Sequence, residues 1–288
     1  MTQLEIRDLI DEGRRDYRDP ERGRPVRTTL WHPQNDGPAP PVVLISHGSG
    51  GAARQMAWLA QPLAAAGFLA VSVDHHGNNF VDGYLPQGFA FEWERPRDLT
   101  FALDAIAADR ALGPVGAAGF SSGGYTAAAL VGARIDPPVL QAVADGLIRL
   151  PDPAEYPGLF DELLAIVPAE QFPRVLAEAG RDWSDPRVRA AFLICPASRG
   201  FLTKESLAAI DRPVQIRWGD ADTVTPPEQD ALRYLDAIPS AGGRSAGEHV
   251  EHYDFLGTNP AGQDVRRQVA AEAVDFFRGL LVDGPATA

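Results

Sequence analysis

The sequence contains a single cysteine, Cys195, among 288 residues. One thiol cannot form an internal disulfide, nor a metal site built from several thiolates. No run of about 18 apolar residues is present, so no membrane span is predicted. The start of the chain, Met1 to Asp8, lacks a basic stretch followed by an apolar one, so no secretory signal is expected. Together these absences favour a cytoplasmic protein.

Positive charge is also scarce. Lys and Arg number 26 against 39 Asp and Glu, which gives a formal net charge of −13. An acidic chain repels phosphate backbones, so nucleic acid is not an expected partner. Hydrophobic residues make up 45% of the chain and charged residues 23%, as in ordinary globular domains. The composition does not indicate an oligomeric state.

Short apolar runs alternate with helical stretches along most of the chain. Continuous apolar runs are typical of parallel strands buried on both faces, and their alternation with helices favours a mostly parallel α/β sheet flanked by helices. The predicted buried strands are Pro41–Ser46, Phe68–Asp74, Val115–Phe120, Ala190–Cys195 and Pro213–Trp218. The predicted helices are Gln55–Ala66, Asp98–Arg110, Gly123–Ala133 and Val265–Leu281, with Asp98 as a cap. Val26–Trp31 alternates as a half-exposed antiparallel strand does, and a last strand over Arg244–Val250 is weakly marked.

The alternation breaks between residues 135 and 187. Prolines punctuate short helical patches there, such as Val139–Leu147 and Phe172–Ala179. The pattern predicts a helical insertion that divides the core into residues 1–134 and 188–288. Ligand pockets usually form at such places, so we interpret the insertion as a cap over the site. Ordinary surface helices are the alternative.

A short motif between a predicted strand and a predicted helix points to nucleophilic chemistry. Residues 119–123, Gly-Phe-Ser-Ser-Gly, fit G-x-S-x-G, a strained turn that lifts a serine hydroxyl above the sheet edge. The first and last positions of the motif must be small because the strand and the helix approach closely there. If Ser122 were the nucleophile, the bulky Phe120 would occupy the first of these positions. Ser121 is therefore the predicted nucleophile. A plain Gly/Ser-rich turn is the alternative.

Acyl transfer also needs backbone N–H donors fixed before charge develops on the substrate oxygen. One predicted donor is Ser122, which directly follows the nucleophile. The other is Ser49, in the glycine-rich loop 47–51 after the first buried strand. Glycine lets such a backbone approach a substrate, although a glycine-rich connection with no chemical role is the alternative.

A serine hydroxyl needs a histidine base held by a carboxylate, and both follow the serine in chains with this motif. Asp220 and Asp222 compete for the acid. Asp222 is favoured because it stands three residues after Gly219 and before a Val-x-Pro turn, whereas Asp220 suits a turn. His252 is favoured as base over His249 because apolar residues follow it and can hold its loop on the core.

Three more residues are candidate substrate contacts, namely His76, Trp93 and Tyr125. His76 lies near the carboxyl edge of the predicted sheet, where ligands bind in open α/β folds. The two aromatics suit an acyl pocket, although most buried aromatics belong to the core. Asp74 and the two histidines after it form an incomplete metal set, so no metal and no cofactor is predicted.

The ordered motifs resemble those of the predicted dienelactone hydrolase and platelet-activating-factor acetylhydrolase-like group of α/β hydrolases. The segments that carry the resemblance are Leu30–Pro33, Ile45–Gly51, Val73–Asn78, Arg95–Leu99, Gly119–Tyr125 and His252–Leu256. Three features depart from the group. Ser121 stands where true dienelactone hydrolases use cysteine, residues 194–197 lack the carboxylate that some acetylhydrolases use, and His76 replaces a common proline.

The resemblance implies hydrolysis of a carboxylic ester, with a short acyl ester or a lactone as the small-molecule substrate. An acyltransferase or peptide cyclase with the same Ser121, Asp222 and His252 is the first alternative. A binding scaffold without chemistry is the second, and the complete set of three side chains argues against it.

Overall fold

The computed structural model describes residues 3–34, 37–148 and 152–283. In these ranges the strands are β1 (Gln3–Arg15), β2 (Gly23–His32), β3 (Val42–Ser46), β4 (Leu69–Asp74), β5 (Asn78–Asn79), β6 (Gly83–Tyr84), β7 (Val115–Phe120), β8 (Val188–Ile194), β9 (Val214–Trp218) and β10 (Ala241–Ser245). The α-helices are α1 (Ala57–Ala65), α2 (Pro86–Ala90), α3 (Glu94–Asp109), α4 (Ser122–Leu130), α5 (Pro137–Ala144), α6 (Leu159–Ile166), α7 (Phe172–Ala179), α8 (Lys204–Ala208), α9 (Ala231–Ala237) and α10 (Gln263–Leu281). Residues 149–151 of the predicted insertion lie outside the described ranges.

One central sheet contains eight strands in the order β1-β2-β4-β3-β7-β8-β9-β10. The strands from β4 to β10 in that order run parallel, while β1 pairs antiparallel with β2 and β2 with β4. β5 and β6 form a separate small hairpin. The predicted α/β architecture with a mostly parallel sheet and flanking helices is confirmed. None of the described helices has the length and apolar character needed to cross a bilayer.

Helices cover both faces of the sheet because its inner strands are apolar on both sides. β3, β4 and β7 are buried along their whole length. At Gly116 of β7, a side chain would meet Phe277 of α10, and at Gly119 it would meet the backbone of Gly123 in α4. Positions three apart on a strand point to opposite faces, so α10 and α4 lie on opposite sides of the sheet.

The chain order of the sheet reverses beside β3. After β3 the chain passes through α1 to β4 on one side, whereas after β7 it passes through α4 towards β8 on the other. The two connections diverge at the carboxyl ends of neighbouring strands, which leaves a crevice where open α/β sheets bind ligands. Ser46, at the end of β3, pairs with Gly119 near the end of β7. The loop 47–51 and Ser121 therefore both lie at this crevice.

Several sequence interpretations are corrected by the structure. Asp98 does not cap a helix, because α3 begins at Glu94 and Asp98 lies inside it, buried against Arg24 with a shortest N–O distance of 2.8 Å. The last strand, β10, ends at Ser245 and so lies mostly before the predicted range. β2 is mostly buried rather than half-exposed, because it lies between β4 and the unpredicted strand β1.

Candidate active site

The turn between β7 and α4 holds Ser121 in an unusual backbone conformation. Its φ is +56° and its ψ is −122°, values that a non-glycine residue rarely adopts. The turn is fixed on both sides, since the Ser121 amide donates to the Ile194 carbonyl at 2.9 Å and the Ser121 carbonyl accepts from the Ala197 amide at 3.1 Å. Strain of this kind is found where the surrounding structure must aim a functional side chain.

Close backbone approach explains the two glycines of the motif. A Cβ on Gly119 would overlap the Gly123 carbonyl, and a Cβ on Gly123 would overlap the Ser46 carbonyl at the end of β3. The start of α4 therefore rests directly on the strand end from which the loop 47–51 departs. Ser121 and that loop are placed together by contacts that only glycine permits.

The loop 47–51 borders the nucleophile turn. A Cβ on Gly48 would lie 3.4 Å from Cβ of Ser121, and Ser49 and Ser122 both line the cavity that Ser121 enters. Ser122 is the first residue of α4, so its N–H has no acceptor within the helix. The loop is held by Asn78, whose side-chain oxygen accepts from the Gly50 amide at 2.6 Å.

Asp222 and His252 are in contact beside this cavity, and His252 lines it. Nδ1 of His252 lies 2.7 Å from Oδ2 of Asp222, and both side chains are buried. Asp222 also accepts from the amides of Val224 and Thr225, each at 2.8 Å, and from the Thr225 hydroxyl at 2.8 Å. Burial by itself would raise the pKa of Asp222, but the hydrogen bonds from His252 and Thr225 outweigh it and the pKa lies below its ordinary value. The carboxylate is thus ionised at neutral pH and fixes the imidazole.

The competing acid and base lie elsewhere. Asp220 is exposed and accepts a hydrogen bond from the indole of Trp218 at 3.0 Å, and His249 is exposed in the loop after β10. His252 is instead packed beside the nucleophile turn, with its ring centroid 4.7 Å from that of Phe120. Of the alternatives weighed in the sequence, Asp222 and His252 are the pair in contact, and His252 lines the same cavity as Ser121.

A metal could in principle use part of this set. Ligand atoms of Cys195, Asp222 and His252 lie within 4.8 Å of one another. The direct contact between His252 and Asp222 occupies the space an ion would need, and burial, with the charge of Asp222, raises the pKa of the Cys195 thiol well above its ordinary value. A protonated thiol is a poor metal ligand, so the three groups fit a hydrogen-bonded cluster better than a metal centre.

The buried guanidinium of Arg95 connects the start of the loop 47–51 to α4. Arg95 is 1% exposed. Its guanidinium donates to the His47 carbonyl, to the Ser46 hydroxyl at 3.2 Å and to the Thr126 hydroxyl of α4 at 3.1 Å. Burial lowers the pKa of Arg95 to about 10, which still leaves it charged at neutral pH. One side chain therefore joins the end of β3 to the helix that follows Ser121.

Two neutral histidines continue this buried network. Nδ1 of His75 lies 3.1 Å from the Asp98 carboxylate, and its Nε2 lies 2.8 Å from the Ser46 hydroxyl. His47 bonds the Gly48 carbonyl through Nδ1 at 2.7 Å and accepts the His75 amide through Nε2 at 3.2 Å. His47 can satisfy its partners only with one proton, on Nδ1, because Nε2 accepts an amide N–H. Burial and the nearby Arg95 charge lower the pKa of His75 to about 3 and that of His47 well below its ordinary value.

These two histidines predict a steep loss of stability in acid. An unfolded chain binds a proton on each histidine near pH 6.5, whereas the folded protein keeps His75 neutral down to about pH 3. The unfolded state therefore binds more protons in this window, and the free energy of unfolding falls as the pH drops below about 6.5, by about 1.4 kcal/mol per pH unit for each histidine. Urea denaturation at pH 7.5, 6.5, 5.5 and 4.5 measures the slope. We expect His75→Gln to lower this slope by the contribution of one histidine, about 1.4 kcal/mol per pH unit. His249→Gln, at an exposed site, should leave the slope unchanged. A free energy of unfolding that does not change over this pH range contradicts the assignment.

A carboxylate next to the nucleophile was missed by sequence reasoning. Glu92 accepts from the hydroxyl of Ser122 at 3.0 Å and from that of Ser198 at 2.6 Å, and it lines the cavity. Ser198 itself has a positive φ of 66°. Glu92 therefore braces both segments that flank Ser121, and no motif in the sequence marks it.

The cavity that contains Ser121 and His252 has a volume of about 1330 Å³. Trp93 borders it, together with Phe80, Tyr84, Phe89 and Phe91. Helices α5, α6 and α7 of the insertion also contribute to its lining. The insertion contacts the core through aromatic rings. Tyr156 packs edge-on against Phe89 with 5.2 Å between ring centroids, and Phe89 packs edge-on against Tyr84 with 5.1 Å between ring centroids.

Two predicted substrate contacts lie away from this cavity. His76 is buried near the end of β1, with Nε2 2.9 Å from Oδ1 of Asp16 and its ring stacked on Tyr17 at 5.2 Å. Tyr125 points into the core from α4 and is 1% exposed. Neither is among the residues that line the cavity, because β1 and the packing of α4 against the sheet enclose them. Both interpretations are corrected to structural roles.

Comparisons with known proteins leave the functional argument to the site itself. No protein-family model matches the sequence, and no curated protein matches it significantly.

Proposed function

We propose that the chain is a serine hydrolase of the α/β-hydrolase fold that cleaves a carboxylic ester through a covalent acyl-enzyme. The observation that carries the proposal is His252, which contacts buried Asp222 at 2.7 Å and lines the same cavity as Ser121, a serine held at φ +56° on a strand–turn–helix motif. A nucleophile, a base and an acid that orients the base are the minimum set for this chemistry.

The mechanism follows from which nitrogen of His252 is engaged. Because Nδ1 faces Asp222, Nε2 is left as the acceptor for the Ser121 proton. Ser121 attacks the ester carbonyl while the amides of Ser122 and Ser49 bind the oxyanion. His252 then gives the proton to the leaving alcohol, and the acyl group stays on Ser121. Water, activated by the same imidazole, releases the acid and restores the serine.

A fluorophosphonate probe tests the proposal directly. We expect stoichiometric labelling of Ser121, because the probe needs an activated serine and an oxyanion site, and peptide mass spectrometry locates the adduct. Labelling should disappear when His252 is replaced by alanine and persist when the exposed His249 is. A protein that stays unlabelled while folded would instead support a binding scaffold.

Transfer of the acyl group to an amine or alcohol is a second candidate. It uses the same three residues, and the helical insertion that lines the cavity favours it to the extent that it excludes water. The ratio of acid to amide product, measured with and without an added amine, separates hydrolysis from transfer. A cytoplasmic location, expected from the sequence, stays a prediction.

A further inference from the structure

The insertion presents a mostly half-buried apolar surface to the cavity, although Leu140 and Val175 also pack against the core. Helix α5 contributes Leu140 and Val143, α6 contributes Leu159 and Leu163, and α7 contributes Val175 and Leu176. Of these six side chains only Leu159 is fully buried. Apolar groups that face an open cavity gain free energy when an apolar ligand covers them.

The size of the cavity exceeds what a short ester needs. Its volume of about 1330 Å³ lies above the range of about 300–1,000 Å³ typical of small-molecule sites. An acetyl ester or a small lactone would leave most of the insertion surface uncovered. The cavity therefore fits a substrate whose apolar part reaches from Ser121 to the helices of the insertion.

The described Asp, Glu, Lys and Arg side chains that line the cavity are all acidic. Among the described residues that line it, none is Lys or Arg, whereas five are Asp or Glu: Glu92, Asp152, Glu155, Asp161 and Asp230. A substrate with its own carboxylate would enter against the negative field of these side chains. Anionic acyl groups are thus disfavoured.

We propose that the substrate is an uncharged ester with a long or bulky apolar group that packs against α5, α6 and α7. The inference rests on the proposed ester hydrolysis and replaces the short acyl ester expected from the sequence. The apolar group belongs to either the acyl or the alcohol side of the ester, and the experiment below distinguishes the two.

Two ester series test the inference. In the first, the acyl chain of p-nitrophenyl esters grows from acetate to octanoate. In the second, the alcohol of alkyl acetates grows over the same lengths. We expect kcat/KM in one series to rise about fourfold per CH₂ group, as burial of that group in an apolar site gives, and an octanoate analogue with a terminal carboxylate to react at least tenfold more slowly than octanoate.

A cavity-filling variant assigns the effect to the insertion. Val175→Phe adds bulk on a side chain that lines the cavity, whereas Ala177→Phe adds bulk on an exposed position of the same helix that does not. We expect the Val175 variant to lower the ratio of kcat/KM for the longest ester to that for acetate by at least tenfold. The Ala177 variant should match the unmodified protein on both.

The outcomes separate this inference from the proposed function. Acetate turnover that depends on Ser121, with no gain for longer chains in either series, overturns the inference and leaves the hydrolase intact. No turnover of any ester and no labelling by the probe overturns the proposed function. If calorimetry then shows that the Ser121→Ala protein still binds the octanoate ester, the apolar cavity is a ligand-binding site without ester hydrolysis.

Discussion

Replacement of Ser121 by alanine is expected to lower kcat for ester hydrolysis by at least about 10³-fold. The variant keeps the backbone turn and the cavity but has no oxygen to form the acyl-enzyme. His252 and Asp222 remain in contact, so the loss reports the nucleophile and not the fold. Initial rates with a p-nitrophenyl ester, together with an unchanged urea midpoint, measure the two effects separately.

The neighbouring serine provides the control for this variant. Ser122→Ala removes a hydroxyl that donates to Glu92 but keeps the Ser122 amide, which is the proposed oxyanion donor. We expect turnover to stay within about tenfold of the unmodified protein, since the reacting groups are untouched. A large loss for Ser122 and a small one for Ser121 would reverse the assignment of the nucleophile.

Replacement of Asp222 by asparagine is expected to lower kcat by about 10³- to 10⁴-fold, as loss of the carboxylate does in serine hydrolases that use this arrangement. The asparagine side chain can no longer stabilise the imidazolium that forms when His252 takes the serine proton. It can also offer an N–H to Nδ1 and so favour the tautomer that is protonated on Nε2, which cannot act as base. The substitution is nearly isosteric, so the fold should persist.

Asp220→Asn is the matched control two residues away. Asp220 is exposed and accepts from the Trp218 indole, a role that the asparagine oxygen can keep. We expect turnover within about twofold of the unmodified protein. Equal losses in the two variants would show that the contact between Asp222 and His252 has no catalytic meaning.

The central part of the fold follows from local sequence patterns. β3, β4 and β7 are continuous apolar runs because helices cover both of their faces, and that is the pattern a sequence can display. The serine motif is also local, since the strand, the turn and the helix are consecutive in the chain. Asp222 and His252, which are 30 residues apart in the chain, are in contact because both follow strands that end at the same edge of the sheet.

The features that escaped prediction depend on partners far away in the chain. β1 is an edge strand with few buried residues, so only its pairing with β2 defines it. Asp98 has the side chain of a helix cap, yet it sits within α3 because buried Arg24 neutralises it. Glu92 has no sequence signal, since its role arises from Ser122 and Ser198, which are 30 and 106 residues away.

The bonding of Arg95 has a consequence for how the sequence can change over time. Its three partners lie on two separate segments, Ser46 and His47 at the end of β3 and Thr126 in α4, and residues that share one network do not contribute independently to stability. A shorter cation at this position would leave buried oxygens unpaired, while an apolar one would leave Asp98 with an altered charge balance. Homologous chains should therefore keep these residues together or replace them as a group. Their joint presence would indicate homology independently of the serine motif.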